Sequence, residues 1–486
     1  MSIYKSLFKQ TAIYGLATVL PRLISFLLNP LYVDVLPKSE FADVSIIFAW
    51  LIFFNVILSY GMETSFFRFY NEDGIDKNKV ITTSTISIFC SSILFLATCL
   101  LSKNYIAQAL GFKVEYIIFT IWILFLDALV IIPFSKLRAE KKSQKYAVIK
   151  LANVLINFGL NLLFLLILPK IANNSIDSVF NLIYLPNFEI GYIFLSSLLS
   201  SFLTFLFLSP FYIKLKWHFD KIIWKKMIQY GFPILIAGLA FAINEHFDKI
   251  LLEFLNVDKE DIGAYSACYK IGMFMVLFRT AYTLGIEPFF FSYAKEKNAA
   301  ETYATITKYF IIFGSFMSLF IIVFLDILKR PIVPKASYWE AVEVVPLIIF
   351  ANFFLGIYTN LSVWYKLINK TKIGAYISII GALVTLVVNF ALIPLISYYG
   401  SAIATILAYG TMMTISYKLG QKEYPIPYEK MIISKYIGIS ILLSGLSFYV
   451  PIFRKTYIFG ILAILFLTYF IYKNEKETIL KIIKRK

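Results

Sequence analysis

Charged residues make up only 15% of this 486-residue chain, against about a quarter in an ordinary soluble domain. Arginine is scarcer still, with seven residues against 39 lysines. There are two histidines, His218 and His246, and three cysteines, Cys90, Cys99 and Cys268. No CxxC or Cys/His spacing occurs, so neither a disulfide framework nor a zinc site is indicated. A Walker motif and a glycine-rich nucleotide loop are also missing, which excludes ATP as the direct energy source. What the chain has in abundance is apolar: 59% of residues are hydrophobic, 18% are aromatic, and mean hydropathy is +0.76. A water-soluble fold could not hide so much. The net charge of +17 would suit a nucleic-acid binder, but a composition dominated by Phe, Ile and Leu does not. An integral membrane protein remains.

Apolar runs of bilayer-spanning length recur from end to end. They predict fourteen helices, at 10–34, 41–67, 80–101, 115–135, 146–168, 188–213, 228–251, 265–292, 303–325, 342–364, 373–394, 400–417, 432–450 and 456–472. The expected fold class is therefore all-α. The N-terminal stretch lacks a small-residue cleavage site and reads as a retained first helix. With the N-terminus inside, and with Lys308 and Lys435 at the cytoplasmic ends of their spans counted there, 31 of the 46 cations fall on the cytoplasmic side, 10 in outer loops and 5 deeper within spans. That bias predicts both termini in the cytoplasm. The basic tail from Lys473 to Lys486 is expected to lie on anionic lipid, and the Phe and Tyr residues to face mainly lipid and its interfaces.

The two halves echo each other. Gly61-Met-Glu-Thr-Ser-Phe-Phe67 and Gly285-Ile-Glu-Pro-Phe-Phe-Phe291 share a Gly-x-Glu-x-x-Phe-Phe pattern. Upstream, Lys38-Ser-Glu-Phe-Ala-Asp-Val-Ser45 matches Lys259-Glu-Asp-Ile-Gly-Ala-Tyr-Ser266. The basic loops after Leu137 and after Tyr365 also correspond. Six helices separate the equivalents, so the repeats are parallel, related by an axis along the membrane normal. The expected organisation is an N-terminal lobe over 1–213, a C-terminal lobe over 214–425, and two added helices with the tail over 426–486.

The segments 60–70, 243–252, 262–271 and 287–291 resemble those of the polysaccharide flippases (Wzx type, polysaccharide transporter family). These belong to the multidrug/oligosaccharidyl-lipid/polysaccharide exporter superfamily. The likeness covers nearly the whole chain. One departure is Asp248-Lys249, where the resemblance leads one to expect Asp-Arg; a lysine keeps the charge but loses bidentate geometry. The resemblance implies a transporter and not an enzyme. Its cargo would be an undecaprenyl-diphosphate-linked oligosaccharide for O-antigen, capsule or exopolysaccharide. It would cross the bacterial cytoplasmic membrane by alternating access between two rocking lobes. Membrane lipids, a polysaccharide polymerase and chain-length proteins are the implied partners. No nucleic acid is expected.

Charges inside the spans are the candidate site residues, because an arginine at mid-bilayer costs roughly 2.5–3.5 kcal/mol and needs a partner or a wet cavity. Arg22 and Arg279 sit near the centres of their spans, and helices 1 and 7–8 line the inter-lobe region in the family. Both arginines are expected to bind the cargo's diphosphate through bidentate guanidinium forks, with Lys249 and Lys270 as further cations of that site. The other reading of Arg22 pairs it with an intramembrane acid such as Asp127. Helix 7 carries Asn244, Glu245, His246, Asp248 and Lys249 within six residues. Glu245 and Lys249 stand at i,i+4. Glu245, Asp248 and Asp127 are candidates for coupling to protons or sodium, with a buried structural network as the competing reading. No bound cofactor or metal is expected. Glu63 and Glu287, near the cytoplasmic surface, are candidate gating residues, with Arg68 or loop lysines as partners. Asn153, Asn157 and Asn161 share one helix face and predict an interhelical hydrogen-bonding seam.

Two other transporter functions remain: export of cationic drugs and flipping of a peptidoglycan precursor. A membrane glycosyltransferase or polymerase is the alternative of a different class. A drug cavity should be acidic at its centre, and an enzyme would need a sizeable outer loop with catalytic residues; central arginines and short loops favour an anion carrier.

Overall fold

The computed structural model describes residues 3–174, 184–294 and 296–484. Among them all regular structure is helical. Fourteen long helical segments follow one another: α1 Ile3–Val35, α2 Lys38–Tyr70, α3 Lys77–Leu101, α4 Val114–Ala139, α5 Ser143–Ala172, α6 Glu189–Ile213 and α7 Lys221–Phe254. Next come α8 over 259–292, α9 Ala299–Val323, α10 Ala336–Leu367, α11 Lys372–Ile396, α12 Tyr398–Glu423, α13 Lys430–Tyr449 and α14 Ile458–Lys484. Eleven of these are long and apolar enough to cross a bilayer, and α1, α8 and α12 fall on the other three expected spans. The chain is an all-helical, multi-pass membrane protein.

Interruptions fall inside segments that hydropathy reads as continuous, and three of them change the helix type or its direction. Helix α2 breaks where Tyr60 and Gly61 take left-handed backbone angles, φ 31° and 72°. Helix α8 consists of Lys259–Tyr269 and Met273–Ser292 joined by a 3-10 turn at Lys270–Gly272. Helix α5 contains a π turn at Leu163–Ile167. Hydropathy averages over such breaks because they change hydrogen bonding and not polarity.

By contact the chain divides into 1–263 and 264–486. In the first unit α7 packs on α2, α1 on α5, and α6 on both α4 and α5. Its core includes Val130, Phe134 and Leu137 of α4 against Ile149 and Leu208. The internal repeat groups α7 with the second lobe, whereas contact groups it with the first; one division follows sequence equivalence and the other packing. In the second unit α10 is central, with 83% of its apolar window buried against 28% or less for α11 and α13. It packs on α9 and α12, and Trp364 and Tyr358 of α10 meet Tyr409 and Met412 of α12. Helix α14 docks on α9 through Leu319, Val323, Ala463 and Leu467.

Some of the aromatics pack inside the helical bundle. Tyr265, Tyr303, Tyr338, Tyr409, Tyr436, Trp364, Phe66, Phe194 and Phe353 are fully buried. Small residues on neighbouring helices make room for the rings: a Cβ on Gly314 would stand 2.3 Å from the Phe353 ring, and one on Gly420 would stand 2.8 Å from Trp364. For these rings, packing between helices takes up the aromatic surface.

Candidate functional site

The site residues are best placed from α2 upward, since its break sets the positions of several. Gly61 is irreplaceable on two counts: its φ is positive, and a Cβ there would sit 2.2 Å from the Gly231 carbonyl oxygen of α7. Ser65 Oγ, one turn on, donates to the Met227 carbonyl at 2.9 Å. Arg68 is exposed, with its guanidinium 4.3 Å above the Tyr230 ring. These contacts clamp the end of α2 to α7. Glu63 does not pair with Arg68. Five residues apart on a helix, the two point to different faces, and Arg138 at the end of α4 reaches Glu63 instead, Nη1 to Oε1 2.6 Å, while stacking on Phe67 at 4.8 Å.

Among the described residues the second copy of the motif shows no such clamp. Helix α8 runs unbroken through Gly285, and no atom lies within 4 Å of where its Cβ would stand. The side chain of Glu287 lies outside the described residues.

Deeper in the first unit, Asp127 of α4 accepts a hydrogen bond from Ser201 of α6 at 2.8 Å. Asn55 of α2 and the Lys150 ammonium of α5 are its other polar neighbours. Lys150 acts on Asp127 electrostatically, with its ammonium 4.4 Å above the Phe134 ring. Lys150 was legible as a cation inside a span, but nothing in its sequence surroundings named the acid. Nearby, the asparagine seam forms as predicted. Asn153 donates to Thr204 at 2.9 Å, Asn157 to Ser197 at 3.1 Å, and Asn161 accepts from the Tyr32 hydroxyl of α1 at 2.9 Å.

In α7, Asn244, Asp248 and Lys249 are buried, and Glu245 and His246 are half-buried. The Lys249 ammonium lies 2.9 Å from both Asp248 oxygens, so the lysine folds back on its sequence neighbour. The stripe adjoins an aromatic cluster in which Phe247 meets Trp50 and Phe53 of α2. A buried pair of this kind is costly to break from one side.

The two expected cargo-binding arginines differ in setting. Arg22 follows Pro21 in α1 and is exposed. A proline within a helix leaves the carbonyl four residues earlier, here that of Ala17, without its usual helical partner. Arg279 of α8 is half-buried, and its Cγ would lie 3.6 Å from a Cβ on Gly356 of α10. One turn further, Tyr282 donates to Asn360 at 2.5 Å. Lys270, half-buried, opens the 3-10 turn of α8.

At the other end of α2 lies a clasp that sequence reasoning missed. Lys259 reaches Asp43 at 2.7 Å and Glu253 at 3.7 Å, while Lys38 reaches Glu260 at 3.1 Å. A Cβ on Gly263 would stand 2.0 Å from the Lys38 carbonyl oxygen. Lys38 and Lys259 are repeat equivalents, and each holds an acid from the other's segment. Their alignment was visible in the sequence; their mutual contact was not.

A family model described as polysaccharide biosynthesis protein matches residues 7–293, and one described as MatE matches residues 233–391. No curated protein sequence matches the chain. Among solved structures, it resembles a lipid II flippase MurJ in an inward closed conformation, at TM-score 0.72 and 16% identity. That likeness covers 95% of this chain and 99% of the other. An inward-facing multidrug resistance MATE transporter gives TM-score 0.65 and 15% identity over 85% and 94% of the two chains. A MOP-superfamily transporter from Pyrococcus furiosus, described as having a binding pocket of reverse polarity, gives 0.60 and 14% over 88% and 96%. With more than half its length matched, the chain belongs to the polysaccharide biosynthesis protein family, and it carries the fold of the MOP-superfamily transporters.

Proposed function

We propose that this protein is a flippase that carries a polyprenyl-diphosphate-linked oligosaccharide from the inner to the outer leaflet of the bacterial cytoplasmic membrane. The observation that carries the reading is the placement of Arg22 and Arg279. In a chain with seven arginines, two lie inside apolar helices of the two repeats, and Arg22 is exposed. A guanidinium inside an apolar helix calls for a partner or a wet cavity, and a diphosphate offers several acceptor oxygens that suit a bidentate fork. The lipid tail would stay in the bilayer while the charged headgroup crosses between the lobes. Support for alternating access comes from the clasp between the starts of α2 and α8, built from breakable ion pairs. The polymerase and chain-length proteins of surface-glycan assembly are the partners this cargo implies.

A peptidoglycan-precursor flippase is the second reading, favoured by the TM-score of 0.72 to the lipid II flippase; it keeps the same diphosphate chemistry. The test is deletion in the native host. The expected result is accumulation of lipid-linked glycan on the inner leaflet, restored by the wild-type gene and not by an Arg22→Gln/Arg279→Gln variant expressed to the same level. Normal surface glycan after deletion, in a host with no second flippase, refutes the reading. Rescue of a strain lacking its lipid II flippase moves the assignment to the second one.

A further inference from the structure

Ten cations lie on the face that the charge bias leaves poor in them, and four gather in one place. The connection between α9 and α10 and the one between α13 and α14, more than a hundred residues apart, jointly enclose a cavity of about 520 Å³. Lys329, Arg330, Arg454 and Lys455 line it, against two carboxylates, Asp326 and Glu343. A volume of this size suits a headgroup or a disaccharide.

Its floor is fixed. Asp326 takes Arg454 through two bonds, 2.6 Å from Nε and 2.9 Å from Nη2, and Lys329 at 2.6 Å. The Arg454 guanidinium also lies 4.0 Å above the Phe448 ring, and the Lys329 ammonium lies 4.2 Å above Trp339. Trp339 is held by its indole N–H, which donates to the Val333 carbonyl at 2.8 Å. One carboxylate thus occupies two cations. Arg330 and Lys455 are exposed on the wall, and among the described residues neither has a carboxylate at ion-pair distance. Both are available to an incoming anion. Tyr449 and Tyr457 complete the lining, and Ile452 and Ile458 beside it are exposed apolar side chains, with Leu462 and Leu465 following along α14. Two free cations, aromatic rings and an apolar track leading from the cavity match an amphiphile with an anionic head.

The geometry points to a docking site for the phosphate-ester headgroup of a membrane lipid, held by Arg330 and Lys455 over the Asp326–Arg454–Lys329 floor, with the lipid chains along α14. This holds whichever cargo the chain moves. Two lipids carry the chemistry, an anionic phospholipid and the polyprenyl diphosphate itself, and the test separates them.

The full chain, purified in mixed micelles, would be assayed by native mass spectrometry for retention of phosphatidylglycerol, phosphatidylcholine and undecaprenyl diphosphate. Glycerol 1-phosphate serves as the soluble competitor. Wild-type protein is expected to retain an anionic lipid over phosphatidylcholine. Arg330→Gln/Lys455→Gln is expected to lower that preference by roughly 10- to 30-fold, on the basis of about 1 kcal/mol per interfacial cation. Its melting temperature should not change, because neither side chain carries an ion pair of the fold, and Arg330→Lys/Lys455→Arg should keep the preference. Displacement by undecaprenyl diphosphate at lower concentration than phosphatidylglycerol assigns the polyprenyl source, and the reverse order assigns the phospholipid. Equal retention by wild type and the glutamine variant overturns the proposal. So does displacement by glycerol 1-phosphate as effective as by lipid.

Discussion

The glycine of the repeated motif should behave oppositely in its two copies. At Gly61, alanine must adopt φ near 72°, at a cost of about 1–2 kcal/mol for an L-residue in the left-handed region. Its Cβ must also enter a space where the Gly231 oxygen lies at 2.2 Å and the Gly231 carbonyl carbon and Cα at 2.9 Å. Those atoms are backbone, so relief requires α7 to move away from α2, an overpacking cost of about 1–3 kcal/mol. The expected total for Gly61→Ala is about 2–5 kcal/mol of destabilisation. At Gly285 the backbone is helical and nothing lies within 4 Å. Gly285→Ala should therefore be neutral or stabilise by about 0.5–1 kcal/mol through helix propensity. The assay is thermal denaturation of both purified variants in one detergent at one scan rate, because unfolding of such a protein is read as a rate. A wild-type melting temperature for Gly61→Ala, or equal damage by both substitutions, would refute the reasoning.

Tyr32→Phe should destabilise the first unit by about 1–2 kcal/mol, because buried Asn161 loses the hydroxyl donor that Tyr32 of α1 supplies; a melting curve that overlays wild type would count against it. Lys249→Met leaves Asp248 buried beside an apolar chain and should cost about 3–5 kcal/mol, whereas Asp248→Leu/Lys249→Met should recover part of that loss in a double-mutant cycle. Asp326 lies beyond the end of α9: burial raises its pKa, but hydrogen bonds from Arg454 and Lys329 outweigh burial and bring it to about 2, below the ordinary 3.8. Its folded value is the lower one, so its contribution to stability is present above pH 4 and fades as pH falls toward 2. Asp326→Asn should flatten that part of the acid-stability profile, measured by denaturation midpoint between pH 2 and pH 5.

The candidate site was legible as a set of residue types and not as a set of contacts. Asp127 stood out as an acid in an apolar helix, yet its neighbours Asn55, Lys150 and Ser201 come from three other helices. Glu63 was visible near a helix end, but its partner Arg138 lies 75 residues away. The asparagines at 153, 157 and 161 were predictable because i,i+4 spacing alone places them on one face. In the sequence Arg330 and Lys455 are ordinary loop cations, and only the folding together of two distant connections places them around one cavity.

By itself the sequence determined that this is a helical, multi-pass membrane protein with an internal sequence repeat and few charges inside its apolar segments. Those properties follow from segment length, hydropathy and spacing, which are local and additive along the chain. The tertiary structure alone decided where α2 breaks, why the first motif glycine is indispensable while the second is not, which acids hold Lys259 and Lys249, and that outer cations meet around one cavity. Each of these depends on atoms brought within a few ångströms from remote parts of the chain, and helix-to-helix proximity is set by packing complementarity that no local average contains.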